Sequence, residues 1–280
     1  MDCIVCLSVF NNEFGLPFVL ENISKLKQIF SKMQIIVFYD HSKDYSLNIL
    51  NQYKEKNENM EIIINNNEKS PSRTVNIANA RNRLLEKIKE TYSNFPYFVM
   101  MDSNEYSCIG NINVEVLQKC LDRNNEWDAI SFDREAGYYD TWALSFDPYI
   151  YSFFHFQNWN KVVEGMRTSF DNRLKDYKTN KNGEFMPVYS AFNGFAIYKT
   201  NKFINCSYSS NINIELFPLN ILRNEIEITN CNIINYFEND CEHRHFHLEA
   251  IQKNDAKIRI CTDFLFSKFI NPPKGLRGPA

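Results

Sequence analysis

The chain has 280 residues, 44% of them hydrophobic and 23% charged, with a formal net charge of −3. This length allows one large α/β domain with a sizeable core, and the mild charge gives no electrostatic footprint for nucleic acid. The eight glycines are too few for a repeat or low-complexity chain, and no apolar run approaches the roughly 20 residues a membrane-crossing helix needs.

In chain order, residues 3–10 form an apolar strand that ends in Asn11, Asn12 and Glu13. Residues 16–30 follow with a helical stripe of Leu16, Val19, Leu20, Ile23, Leu26 and Phe30. A second strand over 34–39 ends at Asp40, a short helix covers 47–53, and a third strand over 60–64 opens into Asn65. Short connections in a β-α-β-α-β series predict a parallel, helix-covered sheet. Parallel strands point their carboxyl ends to one edge, so Asn11, Asn12, Asp40 and Asn65 are candidates for one binding crevice. Neither GxGxxG nor GxxxxGK[ST] occurs, which excludes the dinucleotide fingerprint and the P-loop.

Ser70 to Arg73 leads into a long helix over 74–92, with Ile77, Ala80, Leu84, Leu85, Ile88 and Tyr92 on its buried face. Arg73 at the helix entrance, with Arg81 further along, offers guanidinium forks matched to diphosphate oxygens, whereas Arg83 reads as solvated surface. The next strand, Phe98 to Met101, ends abruptly in Asp102-Ser103-Asn104. A run buried on both faces that ends in an acid is where a carboxylate reaches a ligand. Arginines beside Asp-x-Asn suit a metal-bridged nucleotide sugar, because hard divalent cations link carboxylate and phosphate oxygens.

In the second half, residues 127–132 read as a strand followed by Tyr139, Asp140 and Trp142, which suit an acceptor or donor-sugar pocket. Residues 149–177 are aromatic and helical, with 159–177 the clearest stretch, and 178–183 read as a polar loop suited to a lid. A strand over 191–198 contains Gly194, which permits close backbone approach. Three of the five histidines, His243, His245 and His247, follow Glu242 within a few residues, and 257–264 read as a closing strand. The eight cysteines are scattered. Cys3 and Cys6 point to opposite faces of a strand and cannot share a metal, and no second CxxC supports a zinc ribbon. With no signal segment, the thiols are expected to be reduced and the chain cytoplasmic.

An ordered series of motifs carries a family resemblance: Arg73 with Ile77, Ala78, Arg81 and Asn82; then Asp102-Ser103-Asn104; Tyr139 to Leu144; Phe192 to Tyr198; and Cys241-Glu242-His243 with Phe246 and His247. The series resembles the GT-A-type glycosyltransferases, particularly the fungal capsule-associated α-mannosyltransferase-like group and related giant-virus enzymes, for which the compartment would be a host cytoplasm. The likeness covers residues 3–264. It implies a GT-A-like (Rossmann-like), mixed, mostly parallel sheet flanked by helices in a single domain over 1–268. Residues 1–110 would form the nucleotide-sugar half, 111–268 the acceptor half, and 269–280 a flexible tail. The implied reaction moves a hexose from a UDP- or GDP-sugar to a glycan or protein hydroxyl with a divalent cation, Mn²⁺ or Mg²⁺. Asn11, Asp40, Arg73, Arg81 and Asp102 would hold the donor, and Glu242 and Asp140 would be catalytic. The cation would rest on Asp102, Asn104 and His243. The family pattern has an acid where Asn104 stands, which leaves the cation dependent on His243 from far along the chain; Glu105 is a substitute ligand if the turn is shifted.

Two other readings compete. A zinc-dependent hydrolase would use Asp102 with His243, His245 and His247. A catalytically silent nucleotide-sugar-binding module would fit the neutral Asn104. The tail contains two Gly-x-y triplets, too few for a collagen triple helix.

Overall fold

The computed structural model describes residues 1–104, 107–135, 137–181, 183–235 and 237–268. Glu105 and the tail over 269–280 lie outside the described residues.

The first half alternates as the periodicity predicts. Strand β1 (Asp2–Val9) is followed by α1 (Leu16–Lys25), β2 (Lys32–Tyr39), α2 (Ser46–Glu55), β3 (Met60–Ile64), α3 (Arg73–Thr91) and β4 (Tyr97–Asp102). Helix α1 starts with proline in its first turn, where a missing N–H costs nothing, and buries Leu16, Val19, Leu20 and Ile23. Helix α3 is capped by Ser72, whose hydroxyl accepts from the Val75 amide.

The second half contains α4 (Val114–Asp122), β5 (Ala129–Asp133), α5 (Trp159–Thr179), β6 (Met186–Val188), β7 (Phe195–Lys199), α6 (Thr200–Phe203), α7 (Leu219–Thr229), α8 (Glu242–Asn254) and β8 (Ile258–Phe264). The polar stretch read as a lid is partly helix, since Lys178 closes α5 and pairs with Asp133 at 2.7 Å.

All the strands form one eight-stranded sheet in the order β3-β2-β1-β4-β7-β5-β8-β6. Strands β1 to β4 are mutually parallel, β5 and β8 run the same way, and β7 and β6 are antiparallel to their neighbours. The single-domain, mostly parallel α/β architecture expected from the sequence is what forms. Strand parity divides the core into two layers. Cys3, Val5, Leu7 and Val9 face α1, α2 and α4, whereas Ile4 and Cys6 face the layer of α3, α5 and α8. The two thiols therefore lie on opposite sides of the sheet. Burying each such aliphatic side chain is worth about 1.5–3 kcal/mol, so the two layers supply most of the driving force for folding. Among the described residues no helix is long and apolar enough to cross a membrane.

Candidate active site

The same parity assembles the site. On β4, Tyr97, Val99 and Met101 pack into the α1 layer and Phe98 and Met100 into the α3 layer, so Asp102 emerges on the side of α3 and α8. There α3 contributes Arg81, and the first turn of α8 contributes Glu242 and His243. Consecutive strands leave β1 on opposite sides, β2 on one and β4 on the other, and crevices form at the carboxyl ends of such a switch point. Here Asp102 lies beside Ser8, and Ser103 Oγ donates to the Ser8 carbonyl at 2.7 Å.

A cavity of about 530 Å³ opens at this edge. Ser8, Phe10, Asp40 and Ser103 form its strand side, Lys69, Arg73 and Ile77 its helix side, and Tyr139, Asp140, Trp142 and Phe192 its far wall. Arg81, Asp102, Glu242 and His243 form its floor.

Arg81 is the hub of that floor. It is 3% exposed, and its Nη2 reaches Asp102 Oδ1 at 2.9 Å while its Nη1 contacts both Glu242 Oε1 and His243 Nε2. The guanidinium lies 4.6 Å from the Phe192 ring centre and 5.6 Å from that of Tyr208. His243 stacks on Phe192 with centroids 3.8 Å apart. Arg81, expected from the sequence to face the diphosphate, is buried in the floor of the cavity.

This crowding sets the charges. Burial works against the Arg81 cation, yet the Glu242 and Asp102 carboxylates together hold its pKa above the ordinary value. Burial raises Glu242, opposed by Arg81. Burial, then Arg81, hold His243 well below the usual imidazole range, so it is neutral. Asp140 is pushed up to about 7 by burial, then by the charges of Asp102 and Glu242. A carboxyl tuned near neutrality is suited to proton transfer.

Asp140 is held from two sides. Its Oδ1 accepts from the Ala143 amide at 3.3 Å. Asn193 Oδ1 accepts from the Tyr139 and Asp140 amides at 3.2 and 3.4 Å, and Asn193 Nδ2 donates to the Phe132 carbonyl. Arg244, the residue after His243, grips the following segment by donating to the Trp142, Leu144 and Ile150 carbonyls. Asp240, 2.9 Å from Arg244 Nε, balances its charge.

The three expected cation ligands each have protein partners in this structure. Asn104 Oδ1 accepts from the Ser107 amide at 3.1 Å, and since a backbone N–H can only donate, the amide oxygen is the atom turned toward Ser107. Its Nδ2 instead faces Asp102 Oδ2 at 3.2 Å. His243 Nε2 is in contact with Arg81, whose cationic fork stands between the imidazole and Asp102. Among the described residues no three His, Cys, Asp or Glu side chains converge to hold a metal. Asp102, Asn104 and His243 all line the cavity, and Asp102 is the acid among them.

The zinc arrangement fails for a related reason. The histidine stretch is helical, and alternate residues on a helix point in nearly opposite directions. His247 is held by Ser190 Oγ and Tyr198 Oη at 2.9 and 3.1 Å, and His245 sits beside Glu249.

Of the other expected residues, Asp40 and Arg73 line the cavity but Asn11 does not. Asn11 has a left-handed backbone, φ 47°, and its side chain accepts from the Lys43 amide, which fixes the loop after β1. Asn65 is turned onto Asp40 Oδ1 at 2.9 Å. Lys69, Phe192, Asn193, Tyr208 and Arg244 had no assigned site role from the sequence. Only Phe192 and Asn193 carried a signal, as part of a motif.

No family model and no curated protein sequence matches the chain. Solved structures do match. S. aureus TarS aligns with a TM-score of 0.53 at 14% identity, covering 97% of this chain and 37% of that one. Its 1–349 segment aligns with a TM-score of 0.50 at 15% identity, covering 95% and 59%. The mannosyltransferase PcManGT of Pyrobaculum calidifontis, solved with GDP-Man and Mn2+, aligns with a TM-score of 0.48 at 11% identity, covering 98% and 58%. The chain thus shares the GT-A-like α/β fold with TarS and spans less than two thirds of each of these longer proteins.

Proposed function

We propose that the chain is a glycosyltransferase that moves a hexose from a UDP- or GDP-sugar to a hydroxyl acceptor. The observation that supports this most is the cavity at the carboxyl ends of β1 and β4, where Asp102, Glu242 and Asp140 surround Arg81 on a GT-A-type fold. The motif series shared with the capsule-associated mannosyltransferase-like group and giant-virus enzymes points the same way.

In this reading the donor lies across the ends of β1, β2 and β4. Asp40 faces its nucleoside end, and Lys69 and Arg73 meet the diphosphate. Arg81 neutralises Asp102 and Glu242, so that the floor does not repel a dianion. Asp140 is the general base, in preference to Glu242, whose carboxylate is tied to Arg81. The acceptor oxygen bonds to the anomeric carbon as the bond to the diphosphate oxygen breaks. The diphosphate leaves with the electron pair, and Asp140 takes the hydroxyl proton. The enclosed aromatic walls exclude competing water. A divalent cation would enter this reading as a companion of the diphosphate, with Asp102 as the acid among the three expected ligands, because such cations commonly bind through one acid plus phosphate oxygens.

The test is nucleoside diphosphate release from a panel of UDP- and GDP-sugars, with wild type and Asp140→Asn. Release with one donor, lost in the variant, supports the reading. Donor binding without release in either protein would identify a silent binding module, and no binding of any donor would overturn the reading.

A further inference from the structure

Trp142 belongs to the cavity wall, but its ring does not end there. It meets Phe154 edge-to-face at 5.4 Å, and Phe154 in turn meets Trp159 at 5.7 Å and Phe237 at 5.1 Å. Trp159 is 41% exposed and Phe237 40% exposed. A continuous line of rings therefore runs from the cavity to the surface. Large aromatics left this open at the end of a path from a cavity mark a binding surface.

The surroundings narrow the ligand. Gln157, Asn158, Asn160 and Asn232 are exposed beside the rings. Each planar amide offers a donor pair and an acceptor, which matches hydroxyls rather than charges or lipid tails. The platform is braced, since the Gln157 amide donates to the Asn232 carbonyl at 2.9 Å and Phe156 bridges Ile233. Trp142 Nε1–H, buried in the wall, has no hydrogen-bond partner among the described residues, an indole donor lacking the acceptor it normally finds. Rings for the apolar C–H faces and amides for the hydroxyl edges together describe a carbohydrate.

We infer that the acceptor is an oligosaccharide, and that Trp142, Phe154, Trp159 and Phe237 carry its chain from the surface to the reacting hydroxyl. This rests on the glycosyltransferase reading for its functional meaning, but binding itself can be read without a donor. Of the three tryptophans, Trp127 is fully buried, so quenching of fluorescence by a glycan reports on Trp142 and Trp159.

The experiment titrates tetrasaccharides of glucose, mannose and galactose into wild type, a Trp159→Ala/Phe237→Ala variant and Trp159→Phe, with acceptor KM measured alongside. At least one tetrasaccharide is expected to quench wild type. The double variant should raise its KM about tenfold, a loss of one anchoring contact, with donor hydrolysis unchanged. Trp159→Phe, which keeps a ring, should retain most of the affinity in the KM assay. Quenching without turnover would support the track and sink the donor reading. Turnover with an unchanged KM in the double variant, or no quenching by any tetrasaccharide, would overturn the track.

Discussion

Arg81 and Glu242, 161 positions apart in the chain, meet as a buried ion pair that joins α3 to α8 under the cavity. Asp102 closes the network from β4, so three elements of the sheet and its covering layer are tied at one guanidinium. Removing that cation would leave two crowded carboxylates uncompensated. Arg81→Met is therefore expected to destabilise the fold by about 3–5 kcal/mol, read from urea unfolding. Arg81→Lys should recover only part of this, because an ammonium lacks the planar fork that reaches two acids at once. A loss below about 1 kcal/mol in Arg81→Met would show that the network is not holding the helices.

Asp140 gives a prediction with opposite signs for activity and stability. Its carboxyl is pushed up to about 7, so transfer should rise with pH and level off above about 7. In the unfolded chain the same group titrates near the ordinary carboxylate value of about 4. Between those values the folded state holds a proton that the unfolded state has lost, so the carboxyl lowers stability as pH rises through this window. Asp140→Asn should thus abolish transfer while raising Tm at pH 8, with the gain shrinking toward pH 4. An Asn variant less stable than wild type at pH 8 would contradict the strained-carboxylate account.

The early elements were legible because α1 carries a helical stripe and β1, β2, β3 and the strand of Asp102 are short apolar runs. Helix α8 was not legible, because it is enclosed on nearly every side and so lacks an amphipathic stripe. Glu242, His243, Arg244, Phe246, His247 and Leu248 are all buried. Its polar residues therefore read as a cluster of candidate ligands, whereas Glu242 and His243 share Arg81, and His247 is held by Ser190 and Tyr198. The Asp102 site was visible as a strand end. That Arg81 would lie between Asp102 and His243 was not, since the meeting depends on how α3 packs against α8 and on no local pattern. The orientation of Asn104 was not legible either, its oxygen being turned to the Ser107 amide three residues on.

His247 makes the core sensitive to acid. Burial, then Arg81 and Arg244, bring its pKa down to about 3, while in the unfolded chain it would be protonated below about 6.5. The unfolded state therefore takes up a proton that the folded state refuses. Its contribution is fully present above pH 6.5 and is lost progressively as pH falls toward 3. In His247→Gln, which keeps an amide for Ser190 and Tyr198, stability should fall less steeply between pH 6.5 and 4 than in wild type. Equal slopes in urea unfolding across that range would sink the assignment.

Metal dependence separates two kinds of site. With Asp102 as the acid among the three expected ligands, and no three His, Cys, Asp or Glu side chains converging among the described residues, Mn²⁺ or Mg²⁺ alone should leave Tm unchanged at millimolar concentration, because a ligand that does not bind the folded state cannot stabilise it. A nucleoside diphosphate and Mn²⁺ together should raise Tm, and Asp102→Ala should remove the increment that Mn²⁺ adds. A stabilisation by Mn²⁺ alone would mean that Asn104 and His243 turn inward to complete a site of their own.

Gly194 fixes the height of Asp102 in the cavity. Its carbonyl accepts from the Asp102 amide at 2.8 Å, and its backbone lies at φ +89°, a region that residues with a Cβ rarely adopt. A Cβ built there would stand 2.1 Å from the Ser107 Cβ, on the turn whose hydroxyl and amide hold Asn104. Gly194→Ala therefore combines backbone strain with a clash against Ser107 that one of the two residues must shift to relieve. A destabilisation of about 2–4 kcal/mol is expected. Because Gly194 holds the Asp102 amide and Ser107 holds Asn104, donor binding should weaken in the fraction that still folds. Ser107→Gly in the same chain removes the clashing atom and should restore part of the stability. If the double variant is no better than Gly194→Ala alone, the strain lies in the backbone of residue 194 and not in its contact with Ser107.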